Sequence, residues 1–419
     1  MSDLTLMTAI SFIVFMSGGI TGPVNSLYVE ALGANYATIG LLGTVASLTT
    51  IVSSALWGRA SDLAGRRKQF LVGGLFVAGL SYGLMALVPH YAYLFALRIL
   101  GAAATSAYAT SSLALMGDLL EDRAEARGRR MGVYRGLGSL GFGLMAFLSG
   151  TISDRLSIRA PFAMAAVFVL AACALALLVR EPTPKAVRTG DRMGLWQIVR
   201  EAMSRLSSLL RRGGETCAES IEDRGPSLAP LLISSFLWAL VTGAVYAVWA
   251  NYMVGDLGYS QTAMSRLWSL ASTSELVLMI VAGWLSDRMG RLPMLSLGFV
   301  AWALVFAGYV VVPGMPWILG VQLVRGFAYS AFTATAMTYA TEIRGREHRG
   351  RVSGLYSAAG GVGAILGSAI GGLQTEWMGF RPMIATNAVL IFGGAVYLAV
   401  VAVRQGRART QTGGTLPGS

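Results

Sequence analysis

The side chains best placed to do chemistry are charged residues set inside long apolar runs. Glu275 stands about halfway along the run 262–284, with Trp268, Ser272 and Met279 on the same helical face. Arg98 lies in the run 92–117, three residues before Gly101, and Arg325 lies in the run 317–341. An ionised group inside such a run is expensive to bury, so its retention points to the handling of ions or substrate. A carboxylate at that depth can take up and release a proton, or hold a cation. Glu275 is therefore the candidate proton-coupling group, with a structural ion pair to a neighbouring Arg as the alternative. For Arg98 the alternative is a guanidinium held by backbone carbonyls at a helix bend, and Arg325 is a candidate for its counterpart in an internal repeat. Arg135 and Arg266 lie within about a turn of the ends of their runs, close enough to reach water by snorkelling.

The elements that carry these residues must cross an apolar medium. Of 419 residues, 54% are hydrophobic and 13% charged, with a mean hydropathy of +0.60. A soluble domain has about 25% charged residues, so the composition is that of an integral membrane protein. Twelve apolar stretches occur, at about 6–29, 38–57, 70–89, 92–117, 131–150, 158–179, 227–251, 262–284, 292–313, 317–341, 352–373 and 381–403. About 20 apolar residues span a bilayer as a helix, whereas a closed barrel would show short alternating segments. The net charge of +12 does not mark a nucleic-acid binder, because the arginines sit in loops between spans. One set of loops is rich in Arg and Lys, and the opposite set holds little beyond Arg155, Arg159 and Arg381. The positive-inside rule then puts both termini and the central loop in the cytoplasm of a multi-pass cell-membrane protein. Cys173 in a span and Cys217 in a basic loop are not expected to pair, neither His90 nor His348 falls within a span, and the start of the chain does not read as a cleaved signal peptide.

The chain repeats itself. Gly283-Trp-Leu-Ser-Asp287-Arg288-Met-Gly290-Arg291 joins two spans, and Gly58-Arg-Ala-Ser-Asp62-Leu-Ala-Gly65-Arg66-Arg67-Lys68 occupies the equivalent place 225 residues earlier. The glycines of the second copy are expected to let the helix ends approach, and its Asp to cap the free N–H groups of the next helix. At the same offset Gly18, Gly33, Gly73, Gly83 and Gly101 also meet glycines, and at an offset of 222 Gly128, Gly132, Tyr134, Gly138, Gly141, Gly150 and Arg159 meet their own types. Two parallel six-helix halves, 1–179 and 227–403, follow from this, with a polar linker 180–226 and a tail 404–419. Within the linker, Leu195, Ile198, Val199, Ala202, Leu206, Leu209 and Leu210 share one helical face, which suits an amphipathic helix on the inner leaflet or a flexible segment with transient helix. The tail after Arg409, with Gly and Thr, is expected to be disordered.

The paired loops resemble the signature of the major facilitator superfamily, G-x-x-x-D-R-x-G-R-R/K, with Leu63 departing from it in the first copy. The resemblance covers nearly the whole chain outside the linker and tail. It implies an all-α membrane protein of twelve transmembrane helices in two pseudo-symmetric six-helix halves, drug-efflux-like in character. It implies gating by Gly58, Asp62, Arg66, Gly283, Asp287, Arg288 and Arg291, with Asp118 and Glu342 pairing to the loop arginines and latching the halves in an outward-facing state. It also assigns Arg98 to proton transfer or charge relay, although Leu100 takes the place of the family's usual Gln. The Ser274-Glu275 pair is similar to one in some proton-coupled members. Antiporters of the superfamily often carry a Gly-Pro pair in the fifth span, and Met145-Ala146 stand there instead.

If that fold holds, spans one, four, seven and ten line the cavity. Their polar faces offer Ser17, Thr21, Asn25 and Tyr28 beside a kink at Gly22-Pro23; Arg98, Thr105, Tyr108 and Ser112; Trp238, Thr242, Tyr246, Trp249 and Tyr252; and Gln322, Arg325, Tyr329 and Thr333. Among these, Thr21, Asn25, Tyr108, Trp238, Tyr246, Trp249, Arg325 and Tyr329 are the candidate substrate contacts. Helix packing and interface anchoring are the alternative uses of such stripes. A pocket of Trp and Tyr with one acid suits bulky amphipathic or cationic solutes. Gly136-Leu-Gly138-Ser-Leu-Gly141 matches a dinucleotide fingerprint but follows no strand, so it and Gly363, Gly367 and Gly371 read as helix-packing glycines. With no metal-ligand cluster, catalytic nucleophile or nucleotide loop, an enzyme, a metal site and a cofactor are not expected. The expected function is secondary transport by alternating access, as a monomer in the lipid bilayer: proton-coupled efflux of hydrophobic or cationic small molecules. The alternatives are proton-coupled uptake of a polar solute such as a sugar or carboxylate, and a non-transporting membrane sensor on the same fold.

Overall fold

The computed structural model describes residues 3–120, 127–181, 227–343 and 345–412, and throughout these the chain is helical with no strand. The linker helix expected around 195–210, Cys217 and the end of the tail lie outside the described residues. The elements are α1 (Asp3–Thr21), α2 (Asn25–Ala31), α3 (Tyr36–Ala64), α4 (Arg67–Leu87), α5 (Ala92–Leu119), α6 (Arg127–Arg155) and α7 (Ala160–Leu178). After the linker come α8 (Ala229–Asn251), a π-helical turn (Tyr252–Asp256), α9 (Gln261–Met289), α10 (Arg291–Val310), α11 (Met315–Glu342), α12 (Gly345–Met378) and α13 (Phe380–Thr412). Pro161, Pro230 and Pro316 sit in the first turns of α7, α8 and α11, where a missing N–H costs nothing.

Among the described residues ten helices are long and apolar enough to cross a membrane, and α9 makes an eleventh when its two parts, Gln261–Glu275 and Val277–Met289, count as one span bent by 43°. The 28-residue α11 has the length of a span but carries Gln322, Arg325, Thr333, Thr335, Thr338 and Thr341 along it. The first expected span breaks between Thr21 and Asn25, at the Gly22-Pro23 pair, because Pro23 has no N–H to continue the ladder.

Clustered by contacts, the chain forms two compact units. One comprises Met1–Ala34, Val45–Arg224 and Tyr259–Arg266; the other comprises Asn35–Thr44, Gly225–Gly258 and Leu267–Ser419. Within the first, α1 packs on α6 and α7, and α4 packs on α5 and α7. Within the second, α8 packs on α12 and α13, and α10 packs on α11 and α13. These are the same four pairings in repeat order, so the sequence repeat is a repeat of packing.

Small residues set the distance between helices, as membrane helices require in the absence of a hydrophobic drive between them. A Cβ on Gly363, Gly367 or Gly371 of α12 would stand 2.2 to 2.3 Å from the carbonyl oxygens of Phe236, Leu240 and Ala244 on α8. Gly141 packs on the Phe12 carbonyl of α1, which its Cβ would approach to 2.7 Å, and Gly138 lies against the Phe15 side chain, 3.2 Å from where its Cβ would be, whereas Gly136 faces open space and is not a packing glycine. Gly367→Leu should lower the thermal midpoint in detergent, with a loss of about 1–3 kcal/mol from overpacking. Gly136→Leu should leave it nearly unchanged.

Candidate functional site

In the second unit, Arg325 of α11 is 7% exposed and held by aromatic faces. Its guanidinium carbon lies 4.7 Å from the ring centroid of Tyr246 on α8 and 4.7 Å from that of Trp268 on α9. Nη1 donates to Gln322 Oε1 at 3.3 Å, and the Tyr309 hydroxyl donates to the same oxygen at 3.4 Å. Tyr246 and Tyr309 bring their hydroxyls to 3.4 Å of each other. Cation–π contacts of a desolvated cation are worth about 2 kcal/mol or more, so the rings replace part of the lost hydration.

Glu275 is half-buried at the bend of α9. Its carbonyl accepts from Ser330 Oγ on α11 at 3.2 Å. Its carboxylate has no Lys or Arg nitrogen within 4.0 Å among the described residues, so it is not locked in a structural ion pair. Arg325 acts on it through space, and Tyr246 and Tyr329 lie within its electrostatic reach. A glycine suits this close crossing: a Cβ on Gly326 would fall 2.0 Å from Ser274 Oγ. The adjacent pairs Ser274-Glu275 and Arg325-Gly326 thus bring acid and base to one crossing of α9 and α11.

The aromatic stripe of α8 divides. Trp249 is wholly buried against Trp268 (ring centroids 5.5 Å apart) and Tyr309 (5.9 Å), so it backs the rings around Arg325 rather than facing a solute. Tyr252 is also buried and donates to the Tyr309 carbonyl at 2.6 Å. Trp238 stacks on Phe332 at 4.5 Å and lies 6.0 Å from Tyr329. Gln322, Tyr309 and Trp268 were not among the candidate contacts; the pairing of Gln322 with Arg325 at a spacing of three was the available signal.

In the first unit, Arg98 Nη2 is buried with no hydrogen-bond partner, and Tyr28 and Tyr82 lie within electrostatic reach of the guanidinium. Tyr28 is fully buried and its hydroxyl donates to the Met85 carbonyl, which is the counterpart of the Tyr252–Tyr309 bond 224 residues later. Asn25 opens α2 with a buried, unpartnered Oδ1. Thr21 spends its hydroxyl on the Ser17 carbonyl at 2.8 Å, and Tyr108 is only 6% exposed, packed in a core with Met7, Leu71 and Leu115; neither reads as a solute contact. Arg98 and Arg325 are not equivalent. Arg98 stands three residues before Gly101 and Arg325 one before its matching Gly326, and two residues turn a helix by about 200°.

The two signature loops share one backbone device. Gly65 and Gly290 have φ of 59° and 90°, which favours glycine at both turns. Gly58 and Gly283 face open space, so close approach of the helix ends does not explain them. In the second loop Arg291 donates through Nε and Nη2 to both Glu342 oxygens at 2.9 Å, and through Nη1 to Asp287 Oδ1 at 2.6 Å. Asp287 thus binds a side chain, and α10 has no side-chain N-cap. Arg288 lies over Trp284 at 3.9 Å. In the first loop the partner of Asp118 is Arg67, at 2.6 Å, while Arg66 is exposed. The side chain of Asp62, near the end of α3, lies outside the described part of the structure. Both ion pairs form within one unit, so each ties a loop to its own neighbouring helix.

A further pair of contacts repeats at the helix starts. Asp154 Oδ2 accepts from Thr262 N at 2.9 Å and Thr262 Oγ1 at 2.7 Å, and Glu376 Oε2 accepts from Tyr36 N at 3.0 Å. Asp154 precedes Glu376 by 222 residues, and Tyr36 and Thr262 are the first and second residues of α3 and α9, so each repeat holds the start of this helix with a carboxylate, one position apart.

Residues 4–385 match the MFS_1 like family, and the chain belongs to it. It is thus a major facilitator superfamily transporter. It is 25% identical over 408 residues to a maltose permease of Geobacillus stearothermophilus, covering 96% of this chain and 95% of the relative. It is 23% identical over 391 residues to Multidrug resistance protein 2 of Bacillus subtilis (strain 168), covering 91% of each. Its fold is similar to that of the nucleoside transporter NupG, with a TM-score of 0.78 at 16% identity over 96% of this chain and 99% of that one.

The Arg291–Glu342 pair is half in water, with side-chain exposures of 21% and 49%. A double-mutant cycle with Arg291→Ala and Glu342→Ala, read by thermal unfolding, should give a coupling of about 1 kcal/mol or less.

Proposed function

We propose that this transporter is proton-coupled and moves small organic molecules by alternating access, with Glu275 as the group that is protonated and Arg325 as the fixed cation that answers its charge. The observation that carries this reading is a carboxylate at the bend of a membrane helix, within electrostatic reach of a buried guanidinium but not bonded to it. Such a carboxylate keeps two usable states, because neither is locked by a direct salt bridge. Loss or gain of its proton changes the net charge of the Arg325 centre, which gives a conformational equilibrium a handle.

Export of hydrophobic compounds suits the aromatic surroundings of Trp238, Tyr246, Trp268 and Tyr329. A cationic solute suits them less, because Arg325 already covers Tyr246 and Trp268. Uptake of a polar solute is the second reading, favoured by Trp238 Nε1, Gln322 Nε2, Thr333 Oγ1 and Asn25 Oδ1, buried polar atoms left without partners. The two similar proteins named above fall on both sides of this division. The proposed setting is the cell membrane, with a monomer as the working unit and both termini in the cytoplasm. The loop ion pairs of Asp118 and Glu342 are proposed as gating elements, each fixing a signature loop.

The test is solute accumulation in proteoliposomes under an imposed pH gradient, with a panel of neutral hydrophobic compounds, sugars and carboxylates. Glu275→Gln should lower proton-driven accumulation by about 5- to 150-fold, the range of ordinary coupling energies, and should retain exchange of solute for solute. Proton movement opposite to the solute would mark export, and movement with it would mark uptake. Driven transport undiminished by Glu275→Gln would remove Glu275 from coupling. Binding without flux of any solute would favour a sensor.

A further inference from the structure

Arg98 opens onto a cavity of about 160 Å³ within the first unit, lined by residues of α3, α4 and α5 that include Thr50, Ser81, Tyr82, Ala102 and Thr105. The volume is below the ~300–1,000 Å³ of pockets that enclose a whole organic ligand, yet several times the ~30 Å³ share of one water. It fits a head group or a small ion.

Arg98, and not the hydroxyls of the walls, sets the sign of charge the cavity accepts. Thr50, Ser81 and Thr105 donate their hydroxyl protons to carbonyls of their own helices, those of Ala46 at 2.9 Å, Val77 at 2.8 Å and Gly101 at 2.8 Å. No carboxylate is among the lining residues, and Arg98 is the cation among them. Its Nη2 is buried and lacks an acceptor. A guanidinium cannot shed its proton to escape this cost, so the missing partner is an acceptor, preferably an anionic one.

The repeat puts a neutral residue in this wall at the position where the other unit carries its acid. Position 50 and position 275 are equivalent at the offset of 225 that matches Asp62 to Asp287. In the second unit that position is Glu275, which gives Arg325 a built-in counter-charge. In the first unit it is Thr50, in the wall of the Arg98 cavity. One copy carries its own carboxylate, and the other leaves its arginine to be answered from outside.

We propose that the Arg98 cavity is a subsite for a monovalent anionic group, either the carboxylate end of a solute or a free small anion. It deepens the transporter reading, on which it rests for its place in a transport cycle. Binding itself needs no gradient, so equilibrium titration separates a failure of this subsite from a failure of proton coupling.

The full-length protein in nanodiscs is titrated with acetate, benzoate and chloride, and with choline as the cationic control, by calorimetry and by thermal midpoint. Anions should bind and raise the midpoint, and choline should not. Arg98→Gln should weaken anion binding by about tenfold or more, and Arg98→Lys should restore part of it. Ala102→Leu keeps the guanidinium but narrows the cavity, so it should exclude benzoate before chloride, and it serves if Arg98→Gln fails to fold. Preference for acetate and benzoate over chloride would identify the carboxylate of a solute; preference for chloride would identify a free ion. No anion binding in the unsubstituted protein, or anion binding undiminished by Arg98→Gln or insensitive in size preference to Ala102→Leu, would overturn the proposal.

Discussion

A guanidinium in the middle of a membrane helix must be solvated by the protein, and the arrangement of the second unit follows from how Arg325 is solvated. Two ring faces, one amide oxygen and a distant carboxylate share the task. No one of them is a full ion pair. That division is physically distinct from a buried salt bridge, which trades a large desolvation penalty for a rigid contact. Here the rings take the constant share and Glu275 supplies a share that can change with its protonation. The close crossing of α11 and α9 suits Gly326, since a Cβ there would displace the Ser274 hydroxyl and press on the Ala271 carbonyl at 3.2 Å.

The repeat gives the two units a common scaffold. The same helix pairings, the same tyrosine-to-carbonyl bond and a carboxylate at the start of the same helix recur in each. All of these satisfy backbone groups or set spacing, the requirements any bundle in lipid must meet. The charged centres do not recur, because Arg98 and Arg325 stand at different heights relative to their matching glycines.

Much of this was legible in the sequence. Apolar runs of span length, the alternation of arginine between loops and the paired signature gave the helices and the family. The kink at Gly22-Pro23 and the α12 packing glycines followed from backbone chemistry alone. Contacts between distant segments were harder to read. A stripe at helical spacing does not say which of its members face a neighbour, so Trp249 and Trp238 looked alike, and only one is wholly enclosed. The resemblance named Arg66 among the gate residues, yet Arg66 is the non-helical residue before α4, and Arg67, the first residue of that helix, makes the bond to Asp118. The ring faces around Arg325 come from two helices, α8 and α9, and no local pattern announces them.

The substitution of Thr50 for Glu275 across the repeat has a consequence for how such a chain can vary. If two copies descend from one ancestor, the copy that keeps the acid is constrained by every step in which its charge takes part. The copy with Thr50 at that position is not. Changes at Thr50, Ala102 or Thr105 alter the walls of a small polar chamber without touching the acid–arginine centre of the other copy. Under the two proposals made above, the chain separates its mutational targets: a change in the walls of the Arg98 cavity leaves the Glu275–Arg325 centre in place.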